Sequence, residues 1–314
     1  MGVLQSKHIP FIRGQAAFVD SNTLKVEQED SSTVNVRAKN ILVATGSTAY
    51  RIPDLPYDDL NIFDSDTIKK LSFLPKSVTI IGAGLIGIEY ARIFSRLQCR
   101  VTMIVRQNGL DVALKRIGID RDVGIQLQKD LNLNKVRIIF NAQVSKVVKP
   151  PVPADQPDAR RALILQLTTA DGKPHPTPEI RSEVPESFNH RSSSQFASWS
   201  APNSEASLKI SFCMLILESQ VLMTATGRYA NTKGLGLDRV GVKLDSDGWV
   251  IVDGNLQTHN PSIYAAGDVL GAPGLASVGI EQASIQQCEL HMARESHIQN
   301  STWRVAGECT RSAP

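Results

Sequence analysis

Three glycines set the chemistry to look for. They lie in Ile81-Gly82-Ala83-Gly84-Leu85-Ile86-Gly87. Val78–Ile81 before them is a mostly apolar strand, Leu85–Leu97 carries the apolar stripe of a helix, and Arg100–Val105 reads as a second strand. In that setting each glycine has a distinct task. Gly82 makes the tight turn after the strand, Gly84 lets backbone approach a pyrophosphate, and Gly87 permits close helix–strand packing. The helix start at Leu85 and Ile86 offers unpaired N–H groups and a positive dipole end. A dinucleotide site is therefore expected here; the plainer alternative is a structural glycine turn.

The end of the second strand bears on which dinucleotide. An acidic residue there would accept from the hydroxyls of an unphosphorylated ribose. This chain has Val105 and then Arg106, whose guanidinium suits a 2′-phosphate. Lys115 and Arg116 could add positive field. The reading favours NADP(H) over NAD(H), against the alternative that Arg106 is a solvated strand end. Glu89, seven residues after Gly82, could face a nicotinamide pocket or be an ordinary carboxylate near a positive helix end.

Three further turns follow strands: Thr45-Gly46-Ser47, Thr226-Gly227-Arg228 and Gly267-Asp268. The first two could set backbone N–H groups beside phosphate or ribose, or be ordinary turns. Asp268 could hold a cofactor hydroxyl or phosphate-bound water, or cap the next helix.

The elements that must position these residues alternate. Residues 11–46 read as short strands joined by polar turns, with Ile41–Ala44 wholly apolar and expected to be covered on both faces. Residues 50–62 read as a crossover loop, and Asp64-Ser65-Asp66 as N-caps of a short helix through Leu71. After the second strand, residues 111–133 read as one helix, then Val136–Phe140 and Val144–Val148 as strands. This βαβ order predicts a parallel sheet with helices on both faces. Residues 150–160 and 172–206, rich in Pro, Ser, Asn and charge, read as a flexible insertion around the strand-like Ala162–Leu167. Order resumes over Ser211–Leu217 and Gln220–Thr224. Asp245–Gly248 reads as a turn into Trp249–Val252, Ile263–Ala266 as a strand, Ser277–His291 as a helix, and the tail from Glu295 as loose.

Bulk composition removes several classes. There are 34 basic and 31 acidic residues, a net charge of +3, too weak to argue for nucleic acid or a membrane surface. The richest apolar run, Ile210–Leu217, is eight residues long, broken only by Ser211, and far short of a membrane span. Six dispersed histidines suggest no metal cluster. Cys99, Cys213, Cys288 and Cys309 contain no close pair, so neither a structural nor a redox disulfide within the chain is indicated, and a reducing, cytoplasmic setting is expected. Met1–Ser6 formally fits an N-myristoylation pattern, which is discounted below.

Four pieces in order resemble the flavin-dependent pyridine nucleotide disulfide oxidoreductases: Ala44-Thr45-Gly46-Ser47, Gly82 through Glu89, Ala225-Thr226-Gly227-Arg228, and Thr258 through Asp268 with its Tyr264-Ala265-Ala266-Gly267-Asp268 ending. Phe63–Ile68, Leu71-Ser72, Pro75, Gly82–Ala91 and Ile93–Ser95 are most similar to the soluble, Si-specific NAD(P)+ transhydrogenase branch. The resemblance spans about residues 8–149 and 211–290. It implies a Rossmann-like α/β NAD(P)-binding domain inserted in a partial FAD-binding domain. The expected segments are 1–72 and 227–291 for FAD, 73–226 for NAD(P) with an insertion at about 150–206, and a tail at 292–314.

The resemblance also implies site roles. Gly82, Gly84 and Gly87 would carry the nicotinamide dinucleotide, with Glu89 near its amide and Arg106 at the arginine of NADP-preferring members. Gly46 would lie near FAD and Asp268 would bind the flavin's ribityl or phosphate region, while Thr45, Gly227, Arg228 and Gly267 are expected to be cofactor-binding. The implied activity passes hydride from NADPH through FAD to NAD+. A dihydrolipoamide dehydrogenase-like or mercuric reductase-like disulfide oxidoreductase is the alternative, as is a non-catalytic nucleotide-binding fragment. The family's first Gly-x-Gly-x-x-Gly unit and its dimer-forming interface domain have no counterpart here. The chain is therefore expected to be the middle of a longer, homodimeric enzyme, in which Gly2 would be internal.

Overall fold

A computed structural model describes residues 6, 9–149, 162–169, 171–173, 215–271 and 273–284. Most of the expected insertion, the whole tail, the end of the last predicted helix, and Cys213, Cys288 and Cys309 lie outside these residues. The chain divides into two compact units, residues 1–50 with 227–314 and residues 51–226.

The second unit is built on a five-stranded parallel sheet. Its strands are β6 (Ile62–Asp64), β7 (Ser77–Ile81), β8 (Arg100–Ile104), β9 (Arg137–Ile139) and β13 (Val221–Thr224). They run in the order β6-β13-β7-β8-β9 with every pairing parallel. Period-two alternation splits their side chains between two cores. Phe63, Val78, Ile80, Val101, Met103, Val221 and Met223 enter one; Ile62, Ile81, Ile104, Ile139 and Leu222 enter the other.

The first core is closed by helices α1 (Leu85–Arg96), α2 (Leu110–Lys115) and α3 (Arg121–Leu133), through Ile88, Ala91, Phe94, Leu110, Leu114 and Leu131. The second is closed by strands instead. β10 (Ala142–Val148), β11 (Leu163–Thr169) and β12 (Leu215–Ser219) form an antiparallel sheet whose Leu163, Leu165 and Leu167 are fully buried. The expectation of helices on both faces is thus corrected for the described residues. The apolar alternation requires a cover on each face but does not say which element supplies it.

Three local readings also change. The helix expected over 111–133 is two helices, because Gly118 takes a left-handed φ of +77° and Asp120 caps a fresh start by accepting from the Asp122 N–H at 2.8 Å. Gly124 lets α2 and α3 cross closely, since a methyl there would lie 2.6 Å from Asp111 Cα. The crossover loop at 50–62 ends in β6, and the helix after Asp64 is a single 3-10 turn, Ile68–Lys70. Asp64 does not cap it: Thr67 is the N-cap, with no side-chain capping bond, and Asp64 instead closes the preceding turn by accepting from the Asp66 and Thr67 N–H groups at 2.8 Å each. Because β6 joins the parallel sheet, residues 51–72 belong to the second unit, not to the first as the boundary at residue 72 had it.

The loop entering β6 is pinned by charge. Asp58 accepts from the Leu60, Asn61 and Ile62 N–H groups, and Lys149 Nζ lies 2.5 Å from its other oxygen. Burial alone would raise this carboxyl, but Lys149 and the three N–H groups overrule it and hold it at about 2, below the ordinary 3.8. The folded pKa is depressed, so the stabilisation is complete above about pH 4 and lost as pH falls toward 2. Half-exposed, the pair contributes no more than about 1 kcal/mol. Urea midpoints of the wild type and Lys149→Ala should differ near pH 6 and converge near pH 2. A gap that stays constant across that range would remove Asp58 as its source.

The first unit contains an antiparallel sheet of β1 (Gln15–Asp20), β2 (Thr23–Glu27) and β3 (Thr33–Arg37). β4 (Ile41–Val43) pairs in parallel with β15 (Ile263–Ala265), and β5 (Ser47–Ala49) pairs antiparallel with β14 (Arg228–Ala230). Phe18, Ile41, Val43, Leu237, Val250, Ile263, Ala265 and Val269 form its core. The double coverage expected for Ile41–Ala44 does not hold, since Leu42 is 42% exposed. Its neighbours Ile41 and Val43 take the core side of the strand, and period two puts Leu42 on the other. Trp249–Val252 forms a single bridge, Leu244 to Val250, rather than a strand. Residues 276–284 form a helix, α4.

Candidate functional site

In the second unit the glycine turn sits at the carboxyl end of β7, where the strand order reverses: β8 and β9 continue to one side, β13 and β6 lie on the other. Such a switch point opens a crevice beyond the strand ends. The turn is wedged between neighbours. The Gly82 N–H donates to Ile104 O at 3.0 Å, and the Ala225 N–H donates to Ile81 O at 2.8 Å. Gly82 adopts φ +113°, and a methyl on it would lie 2.3 Å from Ala225 O. A methyl on Gly87 would lie 2.8 Å from Gly82 O. Gly84 is different, because nothing lies within 4 Å of where its Cβ would be. Gly82 and Gly87 are therefore required by the protein's own packing, whereas Gly84 leaves an open approach to the backbone.

Gly84 is also the N-cap of α1, with extended backbone and no side chain capping the helix. No acidic residue occupies the first turn. The N–H groups of Leu85, Ile86 and Gly87 have no acceptor within the helix, and the dipole favours an anion beside them. Glu89 is exposed one turn further on. Arg106 is exposed just beyond β8, on the same sheet edge, since Ile81 and Ile104 are register partners. Val105 before it is buried and donates to Ile139 O at 2.9 Å.

The first unit brings together residues that are distant in sequence. Thr45 Oγ donates to Asn231 O at 2.8 Å, and the Asn231 N–H donates to Gly46 O at 3.0 Å. Arg228 Nε donates to Ser47 Oγ at 2.7 Å, and Ser47 Oγ donates to Asp268 Oδ2 at 3.0 Å. Gly46, Gly227 and Gly267 all have left-handed φ, and nothing lies within 4 Å of a Cβ added to any of them. The Gly267 N–H donates to Gln282 Oε1 of α4 at 2.7 Å. Thr45, Gly46, Arg228, Gly267 and Asp268 thus share one cluster, with bare backbone beside an arginine and a carboxylate.

The family model for pyridine nucleotide-disulphide oxidoreductases matches residues 3–174 and 194–283. The chain belongs to that family.

Among curated members of the family, it is 30% identical over 284 residues to the soluble pyridine nucleotide transhydrogenase of Yersinia enterocolitica, covering 90% of this chain and 48% of that one. The Yersinia pestis protein of the same name matches equally. The chain spans about half the length of these relatives. Among solved structures it is similar to the HOCl-induced flavoprotein disulfide reductase RclA from Escherichia coli, with TM-score 0.62, 22% identity, and 92% and 53% of the two chains covered. It is also similar to LpdA from Mycobacterium tuberculosis, with TM-score 0.65, 23% identity, and coverage of 96% and 54%. Those two likenesses show a common fold.

Two residues of the first-unit cluster carry no distinct signature of their own in the sequence. Asn231 grips both ends of the Thr45 turn, its amide donating to Thr45 O at 3.0 Å and accepting from Thr48 Oγ at 2.7 Å. Ser47 joins Arg228 to Asp268. The only local sign of either was the turn at Thr45-Gly46-Ser47. Among the described residues no group of three or more His, Cys, Asp or Glu could hold a metal, and no helix is long and apolar enough to cross a membrane.

Proposed function

We propose that this chain is the pyridine nucleotide-handling part of a flavin-dependent disulfide oxidoreductase acting in the cytoplasm. The observation that carries the reading is the uncapped α1 N-terminus behind Gly84, open to an anion at the switch point of a parallel sheet. The residues present suit the expected dinucleotide. The N–H groups of Leu85, Ile86 and Gly87 would hold the pyrophosphate, Arg106 the 2′-phosphate of NADP(H), and Glu89 the nicotinamide amide. The first-unit cluster suits the polyol and phosphate portion of FAD, because three open glycines flank Arg228 and Asp268. Bound FAD supplies a two-electron acceptor for the nicotinamide's hydride. The chain's own contribution is to bind the nucleotide, fix its orientation and set the local field.

A second reading rests on the 30% identity to the Yersinia enterocolitica transhydrogenase: NADPH as donor and NAD+ as final acceptor. A third is nucleotide binding without FAD. One set of measurements separates the three. The purified chain is examined for visible flavin absorbance, then assayed with NADPH against a disulfide dye and against thio-NAD+. Reduction of the disulfide alone supports the first reading, and of thio-NAD+ alone the second. A flavin-free chain that still binds NADPH supports the third and overturns the other two for this polypeptide.

A further inference from the structure

Arg228, Ser47 and Asp268 form a relay whose polarity is fixed by chemistry. A guanidinium can only donate, so Ser47 Oγ must accept from Arg228 Nε at 2.7 Å. An ionised carboxylate can only accept, so the single Ser47 proton goes to Asp268 Oδ2 at 3.0 Å. A second nitrogen of Arg228 donates to the Ser47 carbonyl at 2.8 Å, so one arginine grips both the side chain and the backbone of Ser47. The three residues come from β5, β14 and the 3-10 turn Gly267–Leu270, and all lie in the first unit.

We infer that Ser47 is a positioning residue: it couples Arg228 to Asp268 and orients the Asp268 carboxylate toward a ligand hydroxyl. This rests on the proposed FAD role of the cluster. With Oδ2 engaged by Ser47, the carboxylate is held in one rotamer, and Oδ1 is the oxygen left to accept from a ligand. The Ser47 hydroxyl thus bridges the guanidinium and the carboxylate. Sequence gives no hint of the coupling, because Ser47 is 181 residues from Arg228 and 221 from Asp268.

Two measurements test the coupling, one without flavin. In the first, urea midpoints are compared for Arg228→Gln, Asp268→Asn and the double variant, on the wild-type and Ser47→Ala backgrounds. With Ser47 present the two effects should fall short of additive; with Ser47→Ala they should add. Additivity on both backgrounds, or equal coupling on both, overturns the proposal. In the second, FAD is titrated into the apo chain and followed by flavin fluorescence. Ser47→Ala should weaken binding about tenfold, the loss of one hydrogen bond to a charged group. Ser47→Thr, which keeps the hydroxyl on a residue suited to a strand, should recover affinity to within about twofold. Equal weakening by Ala and Thr would also overturn the proposal. If the wild-type chain takes up no FAD, the flavin reading fails, and the stability cycle still decides whether the relay exists.

Discussion

Replacing Gly82 by alanine is expected to cost about 3 kcal/mol or more, combining strain at a left-handed φ with a clash against fixed backbone. The added methyl would lie 2.3 Å from Ala225 O and 2.8 Å from Ala225 C. Neither can swing aside, because Ala225 is held by its N–H bond to Ile81 O. The strand ends of β7 and β13 would have to part, and the α1 start would move with them. A fall in the urea midpoint with loss of NADPH binding is the expected result. Gly84→Ala makes the contrast. Its methyl meets nothing within 4 Å and its φ is −74°, so the fold should be retained. Nucleotide affinity should nonetheless drop, because the methyl occupies the approach to the helix N-terminus. If Gly84→Ala binds NADPH as tightly as the wild type, the pyrophosphate does not lie there.

The second large effect concerns Arg106. Arg106→Ala is expected to weaken NADPH by roughly ten- to hundredfold, the worth of charge-assisted hydrogen bonds to a 2′-phosphate of about 1.5–3 kcal/mol. NADH, which lacks that phosphate, should change by no more than about twofold. Arg106 is exposed and outside the sheet's core, so the substitution should leave stability within about 0.5 kcal/mol. Quenching of intrinsic fluorescence by each nucleotide, on wild type and variant, supplies the four dissociation constants. Equal loss for NADPH and NADH, or no loss for either, sinks the 2′-phosphate role and leaves Arg106 as a solvated strand end.

The glycine turn was legible because its evidence is local: an apolar strand, three glycines at fixed spacing and an apolar stripe of helical period fall within 28 residues, 78–105. The α/β class was legible for the same reason. What could not be read depends on partners far along the chain. β6 is three residues long and follows two prolines, and only its pairing with β13, Phe63 opposite Met223, makes it a strand. The cover on the second face of the parallel sheet was misread because β11 is visible as a strand while its docking face is not. Leu42 sits in a continuous apolar run, and the run alone could not show that the strand faces a core on one side only. At the candidate site, the pattern located Thr45, Gly46, Arg228 and Asp268, each at the end of a strand. It named Ser47 only as the end of a turn and missed Asn231; both act through bonds to residues about 180 to 220 positions away.

The chain passes from the first unit to the second between Tyr50 and Arg51 and returns between Thr226 and Gly227. The two crossings are neighbours, for the Tyr50 N–H donates to Gly227 O at 2.9 Å. The second unit therefore begins and ends at one spot. A gene segment encoding residues 51–226 could enter or leave the surrounding unit without tearing its sheets, needing only a short connection between β5 and β14, which are already paired antiparallel. The chain connectivity is that of one segment inserted between two paired strands of another, a route by which an inserted module can be exchanged while its host stays whole.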